Sequence, residues 1–140
     1  MKDRYFLDTN IVLYTFDHKD LRKKKIASDL IQNGLIHSTC RVSFQVIQEF
    51  MNVTTRSGIL ELKPEDVIQY TSEILVPQCG MRPTYELLFE AIHIQSIFKY
   101  SFYDSLIICA AIEQQCRILY SEDMHHHHKL KGLEIVNPFV

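Results

Sequence analysis

The chain has 140 residues and a formal net charge of −2, so it is most simply one domain without a strong overall charge. Hydrophobic residues make up 46% and charged residues 23%, proportions that are ordinary for a globular protein and exclude a disordered chain or a coiled coil. Because the field of the whole molecule will not attract nucleic acid, any nucleic-acid binding requires a local basic patch or bound cations.

The cysteine pattern favours a reducing, cytoplasmic setting. The four cysteines form no CxxC pair and show no short metal-ligand spacing.

Residues 1–5 lack the apolar core of a signal peptide. The longest apolar stretch is far below the ~20 residues of a membrane span, so we expect no membrane association.

The first half of the chain alternates short apolar strands with helices. Residues 5–7 predict a strand, after which Asp8 or Thr9 can cap a helix. Gly34 is expected to stop the second helix, and Gly58 to follow the end of the third. The predicted bounds are strand 5–7, helix 9–16, helix 21–32, strand 35–38 and helix 43–56.

The second half predicts three more helices and two further strands. Pro64 marks a helix start, and Pro77 restricts the extended segment after that helix to the edge of a sheet. The next helix has Leu88 and Ile92 among its predicted buried residues. The predicted bounds are helix 64–75, extended segment 76–81, a long helix from residue 83, a very apolar helix 101–115, strand 117–120 and strand 133–136. Strands that alternate with helices imply a mainly parallel sheet.

Four acidic residues occupy positions that such a fold can bring together. Asp8 and Asp123 each follow a strand, and ligands of open α/β sheets bind beyond the carboxyl ends of the strands. Glu49 has apolar neighbours on its predicted helix, where a carboxylate is costly unless it is paired or bound to a cation. Asp104 opens the most apolar helix. Together the four residues predict an acidic crevice for a divalent metal.

Each acid also has a separate structural explanation. Asp8 can be a helix N-cap, and Asp104 has capping-box spacing from Ser101. Asp123 can lie in a simple turn, and Glu49 can pair with a lysine or arginine. The separate explanations require four independent coincidences, whereas a single metal site explains all four positions.

Five stretches of the chain, in order, resemble the PIN-domain family, and most closely its VapC-type bacterial toxins. These stretches are residues 6–14, 43–53, 101–111, 119–124 and 133–139. Together they span nearly the whole chain. The resemblance implies an α/β fold, with a single PIN-like domain over residues 1–140. Its central, mainly parallel sheet would have four or five strands, flanked by helices on both faces.

The resemblance also implies a reaction and the residues that perform it. One or two Mg²⁺ or Mn²⁺ ions would be held by Asp8, Glu49, Asp104 and Asp123, and the metal-bound site would hydrolyse RNA. Hard cations prefer carboxylate oxygen, and a metal-bound water can attack phosphorus in line. Glu122 is a weaker fifth acid that is expected to point away. The residues that match family members orienting the site are Thr9, Asn10 and Ser121.

We therefore predict a metal-dependent endoribonuclease, the toxin of a type II toxin–antitoxin pair, which acts as a homodimer and binds a cognate antitoxin. The alternatives are a PIN domain that acts in RNA processing or DNA cleavage, and a non-catalytic module that binds nucleic acid or protein. A further alternative is a metal-sequestering protein built around the histidine run, residues 125–128. The basic cluster at residues 22–25 is more simply a solvated helix start than an RNA contact.

Overall fold

The computed structural model describes residues 3–56, 60 and 62–140. These described residues contain five short strands and six α-helices, with two helices between the first two strands, four between the second and third, and none between the last three strands. The strands are β1 (Tyr5–Leu7), β2 (Cys40–Arg41), β3 (Ile118–Tyr120), β4 (Lys129–Leu130) and β5 (Leu133–Val136). The helices are α1 (Thr9–Tyr14), α2 (Leu21–His37), α3 (Phe44–Thr54), α4 (Pro64–Tyr70), α5 (Tyr85–Phe98) and α6 (Phe102–Glu113).

The strands form one sheet in the order β2-β1-β3-β5-β4. β2, β1, β3 and β5 are parallel to one another, and β4 pairs antiparallel with β5. This confirms the predicted mainly parallel sheet. Leu7, the last residue of β1, lies in register with Tyr120, the last residue of β3. The segments that follow these two strands therefore meet at the same edge of the sheet.

The predicted strand at residues 35–38 is wrong, because α2 continues to His37 and the strand is formed by Cys40 and Arg41 instead. Gly34 does not end the helix. A Cβ atom at this position would lie 2.1 Å from the Cβ of Cys40, so glycine lets α2 pack directly against β2. The helix ends one turn later, at Ser38, which adopts a left-handed conformation with φ of 56°.

The segment between α4 and α5 also differs from the prediction. After α4, one π-helical turn spans Thr71–Leu75 and one 3-10 turn spans Val76–Gln78. Only Cys79 of the predicted extended segment joins the sheet, through a single parallel bridge with Val42. β4 was not predicted at all. Gly58, the expected terminator of α3, lies outside the described residues.

The core forms around β1, β3, β5 and α6. α6 buries seven consecutive residues from Ser105 to Ala111, which confirms its predicted central position. α5 is different, because Leu88 and Ile92, both predicted to be buried, are 40% and 53% exposed. This helix carries apolar side chains on its outer face as well as its inner one. Within the described residues, no helix is long and apolar enough to cross a membrane.

Candidate active site

Asp8 lies where β1 ends and α1 begins, and both of its carboxylate oxygens accept hydrogen bonds. Its backbone N–H continues the sheet by donating to the Tyr120 carbonyl of β3 over 3.0 Å. Oδ1 accepts from the Thr9 backbone N–H and Oδ2 from the Ser121 hydroxyl, each over 2.8 Å. Asp8 is therefore the N-cap of α1, and its carboxylate is held at the carboxyl edge of the sheet, where the residue is only 9% exposed.

The environment of Asp8 disfavours its charged form. Burial raises the pKa of Asp8 to about 6, although hydrogen bonds from Ser121 and the Thr9 backbone act to lower it. The negative charges of Asp104 and Glu49 raise the pKa further. No lysine or arginine among residues 3–56, 60 and 62–140 forms an ion pair with Asp8. A buried carboxylate thus lies near two others without a compensating positive charge.

Asp104 lies in the first turn of α6 and is partly buried. The Ser101 hydroxyl caps this helix by accepting a hydrogen bond from the Asp104 backbone N–H over 3.1 Å. Burial raises the pKa of Asp104, a hydrogen bond with Ser101 lowers it, and the negative charge of Asp123 raises it again. Since the charge of Asp104 also acts on Asp8, this residue connects Asp8 and Asp123 electrostatically.

Glu49 extends from α3 and is exposed, so the expectation of a carboxylate crowded by the buried stripe is wrong. α3 buries Val46, Ile47 and Phe50 on its inner face, and Glu49 lies outside that stripe. Its Oε1 accepts a hydrogen bond from the Thr9 hydroxyl over 3.0 Å. Glu49 is therefore linked to the end of β1 by a hydroxyl group, and no lysine or arginine in the described part of the chain forms an ion pair with it.

Asp123 follows β3 and is also exposed. Asn10 of α1 donates a hydrogen bond from Nδ2 to Asp123 Oδ2 over 2.9 Å. The other amide atom, Asn10 Oδ1, is buried and has no hydrogen-bond partner in the part of the chain that the structure describes. Such an oxygen is a hard donor of the kind that a divalent cation or its water ligands engage.

The four carboxylates thus surround the carboxyl ends of β1 and β3, and we refer to them as the acidic edge: Asp8, Glu49, Asp104 and Asp123. The structure brings all four near one another, directly or through the hydrogen bonds of Thr9, Asn10 and Ser121. This arrangement joins residues from α1, α3, α6 and the segment after β3.

A model of the PIN domain matches residues 5–131, a range that includes the whole acidic edge. The chain belongs to the PIN domain family. The five-stranded, mainly parallel sheet is therefore the sheet of a PIN domain. No curated protein matches this chain significantly by sequence.

Two solved structures resemble this PIN domain over most of its length. A toxin–antitoxin complex from Klebsiella pneumoniae contains a chain that is 15% identical, with a TM-score of 0.64; the match covers 96% of this chain and 97% of that chain. VapC20 of Mycobacterium tuberculosis, a toxin that cleaves the sarcin–ricin loop, is 16% identical with a TM-score of 0.61. That match covers 85% of this chain and 89% of VapC20. At such low identity the likeness shows a shared fold.

Glu122, which precedes Asp123 in the sequence, points away from the acidic edge as expected. Its Oε1 accepts a hydrogen bond from the Tyr14 hydroxyl over 2.5 Å, and its Oε2 pairs with Lys23 Nζ of α2. Burial acts to raise the pKa of Glu122, but the hydrogen bonds from Lys23 and Tyr14 lower it below its usual value. This carboxylate therefore already has a positive partner, unlike that of Asp8.

The histidine run, residues 125–128, contacts several parts of the domain. His128 Nδ1 lies 2.6 Å from the Tyr100 hydroxyl, and His127 Nδ1 lies 2.9 Å from a Glu134 carboxylate oxygen. The rings of His126 and His127 lie 3.7 Å apart and those of His125 and His128 6.2 Å apart. Nowhere among the described residues, the acidic edge included, do three His, Cys, Asp or Glu side chains form a group that could hold a metal ion. The structure thus gives no support to a metal-sequestering protein built on this run.

The acidic edge fits a hard divalent cation by its donor chemistry. All four side chains offer carboxylate oxygens, and Asn10 adds a buried amide oxygen without a partner among the described residues. Mg²⁺ typically keeps several waters and takes only one or two protein carboxylates, so it does not require three converging ligands. A bound cation would also supply the positive charge that buried Asp8 lacks.

Proposed function

We propose that this PIN domain, over residues 1–140, is a metal-dependent endoribonuclease and the toxin of a type II toxin–antitoxin pair. The observation that carries this proposal is the environment of Asp8. Its carboxylate is buried beside Glu49 and Asp104, its pKa is raised to about 6, and no lysine or arginine of the described residues forms an ion pair with it. Binding of a divalent cation would stabilise such a cluster of acids. The bound cation would also attract the phosphate backbone of RNA, which a protein of net charge −2 does not attract by itself.

The roles of the side chains follow from their hydrogen bonds. Asp8 and Asp104, which are buried or partly buried, would hold one or two Mg²⁺ or Mn²⁺ ions, together with the exposed carboxylates of Glu49 and Asp123. When bound, the metal supplies an activated water and neutralises charge on the phosphate. The residues that orient these carboxylates are Thr9 for Glu49, Asn10 for Asp123 and Ser121 for Asp8.

RNA is the proposed substrate, and an antitoxin protein the proposed partner. Both proposals draw on the PIN fold and on the named toxins that share it at low identity. The same acids would serve a PIN domain in RNA processing, and an inactive PIN domain would serve as a binding module. Mapping cleavage sites on total RNA after induced expression separates a toxin, which cleaves a cellular RNA and stops growth, from these alternatives.

A homodimer is the second proposed assembly. α5 presents Tyr85, Leu88, Phe89 and Ile92 on its outer face, at the i, i+3, i+4 and i+7 spacing of one helical stripe. An exposed apolar stripe of this kind marks an interaction surface, and a second copy of the chain is the proposed occupant.

We also propose a cytoplasmic setting, since all four cysteines are free thiols.

The central test is RNA cleavage by the Asp8→Asn variant. Asparagine has the shape of aspartate and can keep a hydrogen bond with Thr9, but it removes the charge that binds the cation. We expect the purified wild-type protein to cleave RNA with Mg²⁺ or Mn²⁺ and to lose activity in EDTA. We expect Asp8→Asn to lose at least about a hundredfold in rate, a typical consequence of disrupting a metal site.

Asp29→Asn is the matched control, because Asp29 is an acid on the surface of α2 that pairs with Lys25 at 3.0 Å. This variant should cleave RNA at the wild-type rate. Full cleavage by Asp8→Asn, or equal cleavage with and without EDTA, would contradict a metal-dependent mechanism.

A further inference from the structure

We propose that Tyr14, Lys23 and Glu122 are positioning residues that fix the segment carrying Asp123 and thereby set the metal affinity of the acidic edge. We call these three residues the Glu122 anchor. The inference rests on the proposed metal-dependent function, and it assigns a role to residues outside the acidic edge itself.

The segment at residues 121–123 is attached to α1 through consecutive side chains. Tyr14 donates to Glu122 over 2.5 Å, and Asn10 donates to Asp123 over 2.9 Å. Because Asn10 and Tyr14 are four residues apart on α1, they lie on the same face of that helix. One helical face therefore holds two neighbouring acids of the same segment, Glu122 facing away from the acidic edge and Asp123 belonging to it.

Lys23, on α2, is the third residue of the Glu122 anchor and contacts both Glu122 and Tyr14. Its ammonium group pairs with Glu122 Oε2 and lies 5.0 Å from the centre of the Tyr14 ring and 5.3 Å from that of Phe139. The side chains of Lys23 and Glu122 are only 24% and 23% exposed. An ion pair that is shielded to this degree, and that also receives a neutral hydrogen bond, holds its geometry better than an exposed surface pair.

Phe139, which follows β5, packs against the Glu122 anchor and is itself held by α2. The Phe139 ring packs edge-on against the Tyr14 ring, with 5.0 Å between centroids. Arg22 donates a hydrogen bond to the Phe139 carbonyl over 2.9 Å, so the ring that covers Lys23 is itself held by the start of α2. Two members of the basic cluster at residues 22–25 therefore make intramolecular contacts, which argues that they act within the fold and not on RNA.

Asp123 needs such support because it is the exposed acid at the end of a strand, whereas Asp8 is fixed by burial. An exposed carboxylate loses conformational entropy when it binds a cation, and residues that preset its position reduce that cost. Glu122 is one peptide unit away, so a shift of the Glu122 backbone moves Asp123 directly. Loss of the Glu122 anchor should therefore weaken metal binding more than it changes the reaction at saturating metal.

The test is a metal titration of the wild-type protein and of three variants, Tyr14→Phe, Lys23→Met and Glu122→Gln. Two readouts are recorded against Mg²⁺ and Mn²⁺ concentration: the metal-induced rise in Tm and the rate of RNA cleavage. We expect the half-saturating metal concentration to rise on the order of tenfold in both readouts, as for other residues that orient metal ligands. The cleavage rate at saturating metal should stay within about threefold of wild type.

Lys25→Met is the matched control, since this lysine of the same helix forms an exposed pair with Asp29. Its half-saturating metal concentration should equal that of the wild type. The double variant that combines Lys23→Glu with Glu122→Lys restores an ion pair of reversed polarity, and it should recover most of the lost metal affinity. Tyr14→Phe removes a single hydroxyl group, so it keeps the test valid if the charge variants fail to fold.

An unchanged half-saturating concentration in Tyr14→Phe and in the folded charge variants would overturn the inference. A lower Tm without metal, with the same half-saturating concentration, would also overturn it, because the anchor would then only stabilise the fold. A wild-type protein whose Tm and cleavage do not respond to metal would instead refute the proposed function. The two failures are distinguishable because the second appears without any variant.

Discussion

At the scale of single residues, Asp8 has one stabilising and one destabilising effect on the folded state when no metal is bound. It caps α1 and accepts hydrogen bonds from Thr9 and Ser121, which stabilises the local structure. It also holds a negative charge in a buried position near Glu49 and Asp104, which destabilises the folded state at neutral pH. Binding sites commonly keep such a local cost because the ligand removes it.

The raised pKa of Asp8 predicts how the stability of the metal-free protein depends on pH. The pKa rises from 3.8 to about 6 on folding, so the folded state binds the proton more tightly than the unfolded state. The resulting stabilisation is fully present below pH ~4 and is lost as the pH rises through ~6, a loss of roughly 3 kcal/mol.

Asp8→Asn should remove this pH dependence, because asparagine does not ionise. In EDTA we expect the variant to have a higher Tm than the wild type at pH 7.5, and the difference to shrink towards pH 4.5. Thermal unfolding measured across this pH range checks the prediction, with Asp29→Asn as the control that should follow the wild type. A wild-type Tm advantage at pH 7.5 in EDTA would contradict it.

At the scale of elements, the contact between α2 and β2 decides how the sheet begins. Gly34 lies inside α2, where an alanine would normally be favoured by up to ~1 kcal/mol. Here a Cβ atom would lie 2.1 Å from the Cys40 Cβ and 2.9 Å from the Tyr5 hydroxyl oxygen. Because Cys40 and Tyr5 are paired in the sheet, neither backbone can move away without disturbing β1, the strand that carries Asp8.

Gly34→Ala should therefore destabilise the protein in spite of its better helix propensity. We expect a loss of about 1–3 kcal/mol in the free energy of unfolding, the usual range for overpacking a core contact. Chemical denaturation measures this directly. Asn33→Ala, an exposed position in the same helix, serves as the control and should leave stability unchanged or slightly higher. Equal stability of Gly34→Ala and wild type would contradict the close packing.

At the scale of the whole molecule, two surfaces of the domain have different characters. The acidic edge is polar and lies beyond the strand ends, whereas the outer face of α5 is apolar, with Tyr85 and Phe89 exposed by 77% and 62%. The first surface suits a cation and a polyanion, and the second suits another protein surface. The fold therefore allows the proposed assembly and the proposed chemistry to use separate parts of the surface.

The dimer proposal predicts a change of mass when the α5 stripe is made charged. The double variant Phe89→Lys with Ile92→Lys should be monomeric, because charges at the centre of an apolar interface are costly to desolvate. Sedimentation equilibrium at micromolar concentration measures the mass. Ile36→Lys, at an exposed apolar position on α2, is the control and should remain dimeric. A monomeric wild-type protein, or a dimeric double variant, would contradict an interface on α5.

The sequence by itself determined the features that depend on local pattern. Apolar runs that end at Asp8 and at residues 121–123 predicted parallel strands with acids at their ends. The central, largely buried position of α6 was predicted from its apolar composition. The family stretches predicted the PIN fold, which the family match over residues 5–131 confirms. Strand-end acids can be predicted in this way because parallel strands all direct their carboxyl ends to one edge.

Only the tertiary structure decided the features that depend on contacts between distant segments. Gly34 has the local pattern of a helix terminator, yet the packing of α2 against Cys40 gives it a different role. Glu49 looked buried from its neighbours, but the direction of its side chain on α3 leaves it exposed beside Thr9. The pairing of Lys23 with Glu122 joins residues 99 positions apart. A local pattern carries no information about such partners, because their proximity is set by how the elements pack.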